Sequence, residues 1–243
     1  MTKNAADLHL HADPNNTEQA SRLIRKTAKL GYRLVGIPFQ KYAEEQMATM
    51  RKVCEDHGVD LATRVDLEPR NPEELLRDLR RYRRRFELVA VLCMSKNVAR
   101  QAAKDRRVDI LNFPQMDFRR RFFDRAEAEL ASNCLASLEI DIRPLLLLNG
   151  ADRVRILWTL RKEVATAQDF HVPVIVSSGV SDDMLIRKPM EVVALSSLFG
   201  LTDGPAADAV STNPSAIIKR NREKLSSNFV APGIRIVRRG TDC

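Results

Sequence analysis

Near its amino terminus the chain reads Asp7-Leu-His9-Leu-His11-Ala-Asp13. Two imidazoles one residue apart, each beside a carboxylate, are the residue types with which a metal site for phosphoester hydrolysis begins. A catalytic metal needs about three protein ligands and an open position. Side chains alternate faces along a strand, so Asp7, His9, His11 and Asp13 are expected on one face, with Ala6, Leu8, Leu10 and Ala12 on the other. A later strand adds Asp66 and Glu68 at the same parity before Pro69. The candidate ligand set is therefore His9, His11 and Glu68, which barely reaches three. Of the other two histidines, His57 falls at a helix end and His171 just before a strand. Both read as packing or surface residues.

Positioning these groups requires strands whose ends converge. Short apolar runs suited to strands occur at Ala5–Ala12, Arg33–Pro38, Val59–Leu67, Glu87–Cys93, Val108–Phe113, Ala136–Ile142 and Pro173–Ser177. Helical periodicity fits between nearly all of them. Asn16 and Gln19 make a capping box for the first helix, whose Ala20, Leu23, Ile24, Thr27 and Leu30 recur at helical spacing before Gly31 stops it. Asn71–Pro72, Asp117, Lys188–Pro189 and Asn213–Pro214 open others, three of them with proline where its missing N–H costs nothing. Strand alternating with helix implies parallel β-α units. Seven of them without a break in composition imply one α/β domain, a TIM-like β/α barrel over residues 1–230, followed by a basic tail at 231–243.

In such a barrel the histidines reach the C-terminal mouth, where barrel enzymes keep their chemistry. The opening strand resembles that of the polymerase-and-histidinol-phosphatase metalloenzymes. That resemblance implies an acid-histidine pair after the second strand and a late Asp-x-His. Here the chain has Pro38-Phe39-Gln40 and Val176-Ser177-Ser178-Gly179 instead. The histidine strand therefore reads as the remnant of a metal site.

Composition narrows the function classes. No run approaches the eighteen or so apolar residues of a membrane span. The start lacks a secretory pattern, and four scattered cysteines without a C-x-x-C pair suit a reducing, cytoplasmic setting. Net charge is +8, with 29 Arg against 11 Lys. Guanidinium forks suit phosphate contacts. An aromatic content of only 5% argues against single-strand reading by base stacking.

Several stretches then carry a specific resemblance. They are ADLHLHAD at the start, AKLGYRLVGIP at 28–38, RRVDILNF at 106–113, LEID at 138–141, VPVIVSSGVSDDMLIRKPMEVVALSSLFGL at 172–201 and STNPSAIIKRNRE at 211–223. In this order the chain resembles the archaeal ribonuclease P protein component 3 family, the counterpart of a thirty-kilodalton eukaryotic subunit. The resemblance implies a barrel that has lost its metal chemistry and supports a catalytic RNA. That RNA uses Mg²⁺ to remove the 5′ leader of precursor tRNA. Implied partners are the ribonuclease P RNA, precursor tRNA, protein component 2 and the other protein subunits, and this chain is expected to hold no cofactor and to be inactive alone.

Candidate RNA contacts follow from charge and placement. Between Pro72 and Phe86, Leu75, Leu79, Tyr82 and Phe86 form an apolar seam. Arg77, Arg80, Arg81 and Arg84 fall at i, i+3, i+4 and i+7 on the opposite face, a cationic ridge that also fits an ordinary solvated face. Asp117–Arg125 supplies Arg119, Arg120 and Arg121, with Phe122 and Phe123 as core anchors. Arg106 and Arg107 precede a strand, Arg187 and Lys188 are expected at the barrel mouth, and Lys219, Arg220, Arg222 and Lys224 lie on the closing helix. The set singled out is Arg77, Arg80, Arg81, Arg84, Arg107, Arg120, Arg187, Lys188, Lys219 and Arg222. Such contacts position an RNA and do not read its bases. The rival reading is a metal-dependent phosphoesterase using His9, His11 and Glu68.

Overall fold

Residues 4–114, 116–231 and 234–236 are described by a computed structural model. All seven expected strands are present: β1 (Ala5–Asp7), β2 (Tyr32–Pro38), β3 (Asp60–Leu67), β4 (Leu88–Leu92), β5 (Ile110–Asn112), β6 (Ser137–Asp141) and β7 (Val174–Ser177). They pair in parallel, in chain order, as one seven-stranded sheet. Helices α1 (Thr17–Lys29), α2 (Glu44–Asp56), α3 (Pro72–Tyr82), α4 (Lys96–Ala103), α5 (Arg125–Cys134), α6 (Arg143–Leu147), α7 (Gly150–Asp169), α8 (Pro189–Ser196), α9 (Asp203–Ala209) and α10 (Thr212–Leu225) connect or follow them. Strands covered on both faces read as nearly continuous apolar runs. That is why Leu88–Leu92 and Val174–Ser177 were recognisable.

The sheet curls into a nearly closed barrel. Past the end of β1, Leu10 bridges Val180, the His11 N–H donates to the Val180 carbonyl at 3.0 Å, and the Gly179 N–H donates to the His9 carbonyl at 2.9 Å. Lower down, the Ala6 N–H reaches the Val210 carbonyl at 2.8 Å, so the α9–α10 junction fills the remaining gap. Gly36 marks the tightest approach of β2 to β1. A Cβ there would lie 2.3 Å from the Leu8 carbonyl oxygen.

Two apolar layers hold the barrel. The larger lies between strands and helices. The smaller fills the lower lumen with Ala6, Leu8, Leu34, Ala62, Leu88, Ala90, Ile110 and Ile175, and α10 closes it with Ile217 and Ile218. Polar ties seat that plug. Asn213 donates to the Val174 carbonyl, Asn221 to the Glu87 carbonyl, and Arg222 to the Leu61 carbonyl.

Local capping explains where helices begin, and corrects two expectations. Asn16 accepts from the Gln19 N–H at 3.0 Å, but the Gln19 side chain instead accepts from the Asp13 N–H and donates to the Ser181 carbonyl, so only half of the box forms. Asp117 opens only a 3-10 turn (Phe118–Arg120). The helix starts seven residues later behind Asp124, whose carboxylate accepts from the Glu127 N–H while Glu127 reaches back to the Asp124 N–H. A complete reciprocal box outcompetes a lone acidic cap. Asn71 and Lys188–Pro189 open α3 and α8 as expected, and α10 begins one turn ahead of Pro214, behind Ser211, whose hydroxyl donates to the Ala207 carbonyl rather than capping the helix. At the end of the expected barrel, β8 (Phe229–Ala231) and β9 (Ile234–Arg235) form an antiparallel hairpin across the 230/231 boundary. The rest of the expected tail lies outside the described residues.

If α10 supports the barrel by plugging its lumen, Ile218→Ala should destabilise the fold by about 2–5 kcal/mol through loss of buried volume. Exposed Lys219→Ala should stay within about 0.5 kcal/mol. Urea unfolding midpoints compare the two, and equal midpoints would deny the plug its supporting role.

Candidate functional site: a charge-locked lumen

Above the apolar layer, the upper lumen is polar and centres on Arg64, a fully buried arginine. Its Nη1 and Nη2 each donate to one oxygen of Glu139 at 2.7 Å, a forked pair. Its Nε donates to Asp66 at 2.6 Å and Nη1 also to the Leu8 carbonyl at 2.7 Å. The remaining acceptors of Glu139 are taken by Ser177 Oγ at 2.8 Å and Asn112 Nδ2 at 2.7 Å. Asn112 Nδ2 reaches Asp141 as well, at 3.0 Å. Five strands or strand ends thus meet in one hydrogen-bonded network.

His9 sits within it. Its Nδ1 lies 2.9 Å from Asp141 and its Nε2 3.3 Å from Asp66. Burial and the Arg64 charge press the imidazole toward neutrality, yet Asp141, Asp66 and Glu139 outweigh them and raise its pKa to about 10. His9 is therefore an imidazolium at neutral pH. Arg64 and His9 in turn hold Asp66 well below the usual carboxylate range against the cost of burial, and His9, Asn112 and Arg64 keep Asp141 low in the same way. Gly179 makes room for this arrangement: at φ +64°, a Cβ would meet the Asp141 side chain at 2.8 Å.

The strand parity expected for the opening segment is broken. Ala5 packs into the outer layer and Ala6 and Leu8 into the lumen, so regular alternation through β1 puts Asp7 in the wall. There its Oδ1 accepts from the Ser178 N–H at 3.0 Å and the His9 N–H at 3.2 Å, while burial raises its pKa. The chain bends after Asp7, so His9 faces the lumen beside Leu8 rather than opposite it. His11 lies on the rim, its ring 4.4 Å from that of His9. Desolvation and then the His9 charge lower its pKa to about 4. Glu68 is exposed on the same rim, where it lines one cavity with His9 and His11, but its carboxylate does not join them in a metal-ligating group. The expected trio of His9, His11 and Glu68 is therefore not assembled.

What replaces it is His9, Glu139 and Asp141, whose ligand atoms lie within 4.8 Å of one another. These residues do not fit a metal ion. Both oxygens of Glu139 are bound by the Arg64 guanidinium, and His9 Nδ1 and Asp141 are engaged with each other at 2.9 Å, so the carboxylate and imidazole donors are already committed. A cation is already in place, and it is a side chain. A cavity of about 380 Å³ opens above it, lined by His11, Asn112, Met116 and Arg143. The sequence did carry a signal for the missed residues. Arg64 and Asp66 share strand parity, and Glu139 and Asp141 share it within Leu138–Asp141.

The arginines fall into separate groups. Arg77, Arg80 and Arg81 are exposed along α3, with Arg77 3.5 Å from Glu74, whereas Arg84 is exposed in the turn beyond the end of α3. Arg107 is clamped by Asp105 at 2.9 and 2.6 Å. Arg120 is exposed near Asp117, but Arg121 is buried and ion-paired with Glu163, so it belongs to the core. Phe123 is buried and Phe122 packs on the core, the anchors expected of them. Arg222 is held by Asp60 and Glu87, while Lys219 is exposed. Arg187 and Lys188 do not lie at the mouth. Tyr32, the first residue of β2, donates its phenol to the Arg187 carbonyl at 3.1 Å, which places that loop on the flank toward the opposite end. The Arg187 guanidinium donates to the Met184 and Ile186 carbonyls.

Comparison with known proteins places this geometry. The family model for RNase P subunit p30 matches residues 4–226. The chain belongs to that family. It is 29% identical to ribonuclease P protein component 3 of Methanosarcina mazei over 95% of each chain. To the same component of Haloarcula marismortui it is 26% identical, over 93% of this chain and 95% of that one. Its fold matches a chain of a cryo-EM structure of archaeal ribonuclease P with mature tRNA (TM-score 0.84, 18% identity, 98% of this chain and 100% of that one). It also resembles a putative prolidase from Bifidobacterium longum (TM-score 0.59, 11% identity, 90% of this chain and 70% of that one). That likeness concerns the fold alone; chemistry resides in the site.

Two measurements test the lock. Arg64→Ala leaves three carboxylates facing each other and should cost about 3–5 kcal/mol, with Tm rising on addition of Mn²⁺. The parent Tm should not move with Mn²⁺, and a rise of several degrees there would mean that a metal enters beside Arg64. For pH, the folded His9 pKa of about 10 lies above its ordinary 6.5. Its stabilisation is therefore complete below about pH 6.5 and fades as pH rises through 10. The depressed Asp66 and Asp141 act in the other direction, stabilising above the ordinary carboxylate range and less as pH falls. Imidazole NMR should show both His9 nitrogens protonated at pH 8. A ring titrating near its ordinary pKa would break the argument.

Proposed function

We propose that this chain serves ribonuclease P as a non-catalytic protein subunit, binding and supporting the catalytic RNA while the RNA subunit, with Mg²⁺, cleaves the 5′ leader of precursor tRNA. The observation that carries this reading is the Arg64–Glu139 fork. In a barrel of a ribonuclease P family, the place where a hydrolytic metal would sit holds a neutralising guanidinium. The rival phosphoesterase lacks its ligand set, since the ligand atoms of His9, His11 and Glu68 do not converge and Arg64 occupies the Glu139 carboxylate. Its partners on this reading are the ribonuclease P RNA, precursor tRNA in the assembled complex, protein component 2 and the other protein subunits of the complex. Among the described residues no helix is long and apolar enough to cross a membrane, in keeping with a place in the cytoplasm.

The exposed ridge Arg77, Arg80, Arg81 and Arg84, together with Arg107, Arg120, Arg187, Lys188, Lys219 and Arg222, supplies candidate phosphate contacts. Their engagement differs. Arg107 and Arg222 already hold carboxylates and contribute less free charge than the ridge or Lys219.

The isolated chain should show no turnover of a generic phosphoester or precursor tRNA with Mg²⁺, Mn²⁺ or Zn²⁺, while adding it to the RNA subunit and its partner proteins should raise leader cleavage. Metal-dependent turnover by the chain alone, abolished by His9→Ala, would restore the rival. Replacing all four ridge arginines by Gln keeps helix propensity. It should flatten the dependence of log RNA affinity on log salt by about 0.7–0.9 per lost contact. An unchanged slope makes the ridge a solvated face.

A further inference from the structure

At the end of the barrel opposite the charge-locked lumen, two arginines share one carboxylate and a lysine stands near them. Asp109, the residue before β5, is almost fully buried. Arg83, at the end of α3, donates to its Oδ2 at 2.5 Å and to the Arg107 carbonyl at 3.4 Å. Arg220, from α10, donates to Oδ1 at 3.2 Å and to the Leu135 carbonyl at 3.5 Å. The Val89 N–H takes a further share of Oδ2 at 3.0 Å. Lys224, one turn beyond Arg220, is exposed beside them, and Arg106 is exposed on the adjoining turn.

Donors outnumber acceptors here. Both oxygens of Asp109 are committed, yet Arg83 Nη2 and Arg220 Nε are buried with no hydrogen-bond partner. More than nine in ten buried polar groups in folded proteins are satisfied, so two orphans in one cluster point to an absent acceptor. The formal balance is Arg83, Arg220 and Lys224 against Asp109, an excess of two positive charges. Partial desolvation, then Arg220, and more weakly Arg83, lower the Lys224 pKa against the pull of Asp109. Nearby acids are already matched, Asp105 by Arg107 and Asp60 by Arg222.

We propose that Arg83, Arg220 and Lys224 form a seat for a backbone phosphate of RNA at the N-terminal ends of β4 and β5. The seat rests on the reading of this chain as an RNA-bound subunit, and it assigns that contact to residues outside the exposed ridge. A phosphate brings several acceptor oxygens and negative charge, which meets both deficits, and two arginines suit its forked geometry. Arg83 ends the helix whose outer face carries Arg77, Arg80 and Arg81, so one strand of backbone can run from the seat along that ridge. The mouth of the barrel, with its three carboxylates, is left facing away.

The test measures binding of the full chain to labelled ribonuclease P RNA over a salt series. Arg220→Gln/Lys224→Gln keeps Arg83 against Asp109, and Arg143→Gln at the mouth serves as the control. The double variant should bind roughly tenfold or more weakly at low salt, with a slope shallower by about one to two units. The control should match the parent. Should the double variant unfold, Lys224→Gln alone, at an exposed position, should still lower the slope by up to about one unit. An unchanged slope with unchanged Tm would reduce the cluster to a structural tie and leave the subunit reading standing. Intact RNA binding with lost binding of a partner protein would reassign the seat to an acidic protein surface. A parent chain without salt-dependent RNA binding would overturn both the seat and the reading beneath it.

Discussion

A guanidinium buried without compensation would cost several kcal/mol, so everything around Arg64 is arranged to satisfy it. The fork to Glu139, the short contact to Asp66 and the donation to the Leu8 carbonyl tie β3 to β6 and to the end of β1. Asn112 and Ser177 are then oriented by the lone pairs of Glu139 that Arg64 leaves open, and His9 is charged because the carboxylates recruited by Arg64 surround it too. The bend after Asp7 brings His9 to that place. Remove the guanidinium and none of these positions has a reason to hold.

The lock also separates the two ends of the barrel. In barrel enzymes the mouth is where polar groups stay available for substrate. Here the mouth's strongest donors and acceptors are consumed by one another, and the lower lumen is sealed by Ile217 and Ile218 of α10. Available charge lies elsewhere, on the outer face of α3 and around Asp109. The barrel thus carries its available charge on its outer surface rather than at its mouth.

Sequence made the frame legible because each strand is an apolar run buried on both faces, and such runs differ sharply from the charged helices between them. It misplaced the helix after β5. Asp117 is a plausible cap in isolation, and the stronger reciprocal pair of Asp124 and Glu127 sits seven residues on. It misread the opening strand for a different reason. Alternation holds only while a strand stays regular, and the bend after Asp7 puts Leu8 and His9 on the same side, so counting back from His9 assigns Asp7 and Leu8 to the wrong faces. Arg187 and Lys188 were placed at the mouth because they follow the last strand, but the connection folds back along the flank to meet Tyr32.

By itself the sequence determined the number and order of parallel strands, the single-barrel class, the excess of arginine and the lack of a complete metal-ligand pattern. Each depends on local composition or spacing. Only the tertiary structure decided what stands in the place of the metal, because Arg64 and Glu139 are 75 residues apart and meet across the lumen. It likewise decided which arginines carry free charge. Arg121 and Arg222 look like Arg120 and Lys219 along the chain, yet the first pair is held by carboxylates distant in sequence and the second faces solvent. Charge is written in the residues; whether it is neutralised depends on what folding brings within 4 Å of it.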